Sequence, residues 1–170
     1  MTPAERFDFK TRLDIQEVIL ARLGVVYAAQ SAGQQNIADR TPIDLMAYTM
    51  SEAIGDAVGE ADQRRFAVYV QNCFDMTKKW FSMLMLIQPG IALVPAEGKA
   101  VANAAYIEHL NSLMFGLSCD PRLTIPSYYM RREYLTLEDR LQALENSTAR
   151  ATMVQMQETK DHLTLGGMLQ

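Results

Sequence analysis

Histidine and cysteine are both scarce in this chain of 170 residues, which holds two of each: His109 with His162, and Cys73 with Cys119. That scarcity removes most metal chemistry on spacing alone. A helical di-iron site needs paired Glu-x-x-His motifs so that carboxylate and imidazole share a face, yet Glu108 and His109 are adjacent and Glu158 stands four residues before His162. Zinc needs four clustered ligands, and two isolated cysteines make no Cys-x-x-Cys pair. Each cysteine lies in an apolar stretch, where a thiol behaves as a small hydrophobe, so both are expected as reduced core residues.

Phosphate and acyl chemistry fare no better. The segment Pro95-Ala96-Glu97-Gly98-Lys99-Ala100 puts a glycine and a lysine before a helix start, where free amides attract anions. A phosphate loop, however, needs a closer upstream glycine than Gly90 and a Ser or Thr where Ala100 stands. Gly116-Leu117-Ser118-Cys119-Asp120 lacks the second glycine of a nucleophile elbow. A basic field is also missing: 16 Lys and Arg against 20 Asp and Glu give a formal charge of −4, which disfavours nucleic acid as a partner. No apolar run reaches the roughly 20 residues of a bilayer span. Residues Met1 to Arg6 show no charged-then-apolar leader. The expected location is the cytoplasm, or a particle assembled from it. Alternating strands, internal repeats and low-complexity tracts are absent from the pattern.

What the chain does have is apolar residues, 49% of the total, at helical spacing. Three box-like helix starts punctuate it: Thr2-Pro3-Ala4-Glu5, Thr41-Pro42-Ile43-Asp44 and Thr136-Leu137-Glu138-Asp139. After the first, charges continue as far as Arg22 and none follows until Asp39, while Val18, Ile19, Leu20, Leu23, Val25 and Val26 crowd the second half, so this helix is expected to start wet and end buried. After the second, Ile43, Met46, Met50, Ile54, Val58 and Ala61 form a stripe, with a break expected near Gly59. Residues 60–87 read as one amphipathic helix with Phe66, Val70, Cys73, Phe74, Trp80, Leu84 and Ile87 on its apolar side. A loop is expected over 88–98. Ile107, Leu110, Met114 and Leu117 mark another helix, ended by Cys119-Asp120-Pro121. An extended connector over 121–135, with a helical turn after Ser127, leads to Leu137, Leu141 and Leu144 at coiled-coil spacing. Beyond Leu144 the stripe thins until Gly166-Gly167.

The fold expected from these signals is all-α, a single-domain helical bundle of about five to six helices, with 1–135 as core and 136–170 as a C-terminal helix that packs on a partner. Two segments stand out as contact surfaces. Trp80, Met83, Met85, Ile91 and Leu93 belong to a stretch apolar on nearly all sides, set against the alternative of a central core helix. Tyr128, Tyr129, Arg131, Arg132 and Tyr134 mix the residue types enriched at interface hot spots, set against an ordinary connector. No cofactor, metal or catalytic residue is implied. The leading expectation is therefore a non-enzymatic structural subunit, a virion, injection or secretion-type component acting through homo- or hetero-oligomeric protein contacts. The alternatives are an adaptor or chaperone that takes a client helix in a Met-lined groove, and a small enzyme recruiting His109, His162, Glu108 or Lys99.

Overall fold

A computed structural model describes residues 8–30, 36–52, 58–91 and 103–167. In chain order these form α1 (Phe9–Ala28), α2 (Pro42–Glu52), α3 (Glu60–Trp80), β1 (Leu84–Ile87), α4 (Ala104–Ser118), β2 (Ser127–Met130) and α5 (Leu137–Gly167). The chain is mostly helical, with one small parallel sheet. The described elements fall into two compact units, α1 to α4 in the first and β1, β2 and α5 in the second.

Helix starts follow local chemistry. The Asp8 carboxylate accepts the Thr11 amide at 2.7 Å and caps α1; the Thr2 box lies outside the described residues. At α2 the Thr41 box closes in both directions, since Asp44 Oδ2 accepts the Thr41 amide at 2.7 Å and Thr41 Oγ1 accepts the Ile43 amide at 3.2 Å. Pro42 occupies the first helical position, where its missing N–H costs nothing. Gly59 caps α3 in extended geometry without a side-chain bond, which makes the expected break. Glu60 and Asp62 open that helix and Lys78 and Lys79 close it, in keeping with its dipole. Asn103 caps α4, and Thr136 caps α5 by accepting the Asp139 amide at 3.1 Å.

In the first unit α2 packs on α1, α3 and α4, and α1 packs on α3. Leu13, Met46, Ala47, Cys73 and Phe74 are fully buried there, and each large side chain so removed from water contributes on the order of 1.5–3 kcal/mol. Rings extend the contact: Phe9 meets Phe66 edge-on at 5.6 Å between centroids, and Phe66 stacks on Tyr69 at 6.2 Å. Buried hydroxyls are satisfied locally, Thr49 bonding both the Leu45 carbonyl and the Tyr69 hydroxyl and Thr77 donating to the Cys73 carbonyl. Arg65 of α3 clamps α1, with Nη1 2.6 Å from Asp14 and a two-pronged bond to Glu17.

In the second unit β1 and β2 run parallel, with Leu84 opposite Ser127, Met85 opposite Tyr128, Leu86 opposite Tyr129 and Ile87 opposite Met130. Backbone bonds from Leu84 N to Pro126 O and from Gln88 N to Met130 O close the two ends. Helix α5 packs on β2, burying Ala151, and Gln155 Nε2 donates to the Ser82 carbonyl at 3.2 Å.

Four expectations need correction. The helix over 60–87 ends at Trp80; Phe81 turns extended and Leu84–Ile87 becomes a strand. A short apolar run suits either state by periodicity, and here the ladder to β2 decides. The helical turn after Ser127 is likewise a strand, so all-α holds only as mostly helical. The second half of α1 is not buried, because Val25 is 72% and Val26 53% exposed. Cys119 is exposed although Cys73 is buried.

Candidate functional site

The two sequence segments singled out as contact surfaces are adjacent strands of the second unit. Met85 and Tyr128 are cross-strand partners, both half-buried, and Tyr129 on the next pleat is exposed. Met83 precedes β1 and is half-buried; Ile91 follows it and is exposed; Leu93 lies outside the described residues. Beyond β2, Arg131 is exposed while Arg132 and Tyr134 are half-buried. The turn there is fixed by Tyr134 N bonding to Arg131 O and by Arg140 Nε bonding to Tyr134 O at 2.9 Å. Gly90 lies so close to the Arg132 backbone that a Cβ would come 2.9 Å from its carbonyl carbon. The absence of a side chain at Gly90 lets the segments after β1 and β2 run side by side. Trp80 belongs to the first unit.

Trp80 instead ends a groove between α1 and α3. The groove holds about 810 Å³. Leu20, Ala21, Gly24 and Val25 form one wall and Met76 and Trp80 the other, with Glu17, Asp75 and Lys79 at the rim. Gly24 brings the walls together: a Cβ there would meet Met76 Cε at 3.1 Å. Lys79 Nζ sits 4.7 Å over the Trp80 ring, a cation–π contact that holds the indole beside the groove. Glu17 is neutralised by Arg65, whose guanidinium this pair and Asp14 push further above its usual range. Asp75 is held below its usual value by hydrogen bonds from Lys78, 2.9 Å away, and then Gln71.

Sequence reasoning missed a larger feature, the outer side of α1. Phe9, Leu13 and Leu20 point inward, while Ile15, Val18, Ile19, Val25 and Val26 point outward and are exposed. The signal was present in the sequence as apolar residues at every angle of one helix. The charge-free second half suggests a burial gradient along the axis, whereas the structure divides the helix into two faces across it.

Glu108 is exposed and His109, next along α4, is half-buried with Nε2 unbonded; Lys99 is outside the described residues. Among the described residues no three His, Cys, Asp or Glu side chains are placed to hold a metal ion, and no helix is long and apolar enough to cross a membrane. Compared with known proteins, the chain matches no family model, no curated protein and no solved structure.

Proposed function

We propose that this chain is a non-enzymatic helical subunit of a larger protein assembly, with α1 to α4 as a bundle core, acting in the cytoplasm or in a particle built there. The observation that carries the reading is α1. Beside its buried Phe9, Leu13 and Leu20, this helix exposes Ile15, Val18, Ile19, Val25 and Val26, more large apolar side chains than a solvent-facing side usually carries, and a group of them marks protein contact. Helix α5 supports it with Leu137 66% exposed and Leu141 beside it outward-facing. Strand residues Met85, Tyr128 and Tyr129 add a second contact region of the types that anchor interfaces. Light scattering on the purified chain, together with isolation of the complex that holds it in its source, tests the reading. A chain that stays monomeric and is recovered with no stoichiometric partner would sink it.

The groove between α1 and α3 favours a second reading, an adaptor that takes an amphipathic client helix. Its Met76 and Trp80 supply an adaptable wall and a flat anchor. Under this reading a purified monomer binds one client helix stoichiometrically, and Gly24→Leu, which fills the groove, abolishes that binding without unfolding the chain.

A further inference from the structure

Resting on the reading of the chain as an assembly subunit, we infer that the outer face of α1 pairs antiparallel with the same face of a second copy, about a two-fold axis passing at Val18. The Asp14 and Arg22 charges of this face are complementary under that operation. Asp14 and Arg22 lie four residues before and after Val18, which places them ~6 Å along the axis and ~40° to either side of it. A two-fold axis through Val18 maps each position onto its mirror in sequence, so Asp14 of one copy faces Arg22 of the other, twice. Ile15 then faces Ala21, a large side chain against a small one, and Val25 faces Thr11. Val18 meets Val18.

Arg22 is exposed on an apolar strip. The residues three and four places from it along α1 are Val18, Ile19, Val25 and Val26, so its own helix offers no acid within reach. The Asp14 side chain bonds Arg65 through Oδ1 and still keeps 51% of its surface open, so a second cation can approach it. Paired charges on a helix seam set register and orientation, and antiparallel helices also oppose their dipoles favourably. Such an interface is isologous and closes on itself, giving a dimer as the unit from which the assembly is built.

Charge exchange tests the pairing against any other occupant. Arg22→Glu and Asp14→Lys each place like charges in contact twice and are expected to raise the dimer dissociation constant at least tenfold by analytical ultracentrifugation. Circular dichroism checks that both variants keep the native helix content. Mixed in equal amounts, the two variants form a heterodimer in which both contacts are again of opposite sign, so association returns. A second variant reads geometry: helices packed ~8–10 Å apart bring facing Cα atoms to disulfide range. Val18→Cys in a Cys119→Ser background is therefore expected to oxidise to a covalent dimer, and Val25→Cys in the same background is not. Failure of the mixture to associate, or equal cross-linking at both positions, overturns the pairing. A pure chain that is monomeric at its highest soluble concentration yet is recovered in a stoichiometric native complex also overturns it while leaving the assembly reading intact. A chain that is monomeric in both settings removes both.

Discussion

Cys73 and Cys119 are both outside any disulfide, but they meet a reagent under opposite conditions. Burial on α3 pushes the Cys73 thiol up to about 12, with a hydrogen bond to Tyr69 opposing the shift, so at neutral pH it is both protonated and out of reach. Cys119 is exposed at the end of α4. A disulfide-exchange dye at pH 8 is expected to titrate one thiol per chain rapidly and the other only in denaturant; two fast equivalents would mean that the α3 core opens readily. The apolar neighbours of Cys119 suggested a core residue, but at a helix end the course of the following segment decides burial, and that is not written locally. Just beyond it, Arg122 makes a two-pronged bond to Asp120 and adds its own amide, holding the carboxyl down at about 2 against an ordinary 3.8. A lowered folded-state value stabilises the fold above pH ~4 and the gain disappears as pH falls toward ~2. Because the Arg122 side chain is 46% exposed, the gain is about 0.5 kcal/mol. Asp120→Asn should lower stability by that amount at pH 7 and match the parent near pH 2 in denaturant melts.

Helix starts were the most legible elements, because capping is decided within four residues. Thr41-Pro42-Ile43-Asp44 closes in both directions, and at Thr136-Leu137-Glu138-Asp139 the Thr136 hydroxyl accepts the Asp139 amide and donates to its carboxylate. Their surroundings separate them: the Thr41 box is half-buried and opens a helix with Ile43, Met46 and Ala47 in the core, whereas the Thr136 box is exposed. Thr41→Ala is expected to cost about 1–2 kcal/mol and Thr136→Ala about 0.5 kcal/mol in chemical denaturation; equal costs would show that burial of the helix does not enter. What the residue pattern hid was β1. Leu84-Met85-Leu86-Ile87 has no alternation, and nothing marks a helix stop at Trp80, so the strand exists only because Ser127–Met130, 43 positions further along the chain, pairs with it. The candidate site suffered the same limit. Met85 and Tyr128 were each chosen for chemistry, but their pairing is a long-range fact, and the outer face of α1 could be recognised only once its inner face had a partner.

At the scale of the molecule the two units differ in how much they bury. Among the described residues the first unit holds Phe9, Leu13, Leu20, Met46, Phe74, Leu110 and Leu117 in its core, while the second has Leu84, Met130 and Ala151 as its well-buried apolar side chains. Cooperative units open with free energies set by such contacts, so amides of β1, β2 and α5 should exchange at least tenfold faster than those of the middle of α3. Gly90→Ala sharpens the test. Its Cβ would press on the Arg132 backbone, which cannot yield as a flexible side chain would, and the cost falls on the second unit, about 1–3 kcal/mol by overpacking. Exchange in β1 and β2 should then accelerate while the α3 amides keep their protection. If α3 accelerates by the same factor, the chain opens as one cooperative body, and the small core of the second unit must draw its stability from the first.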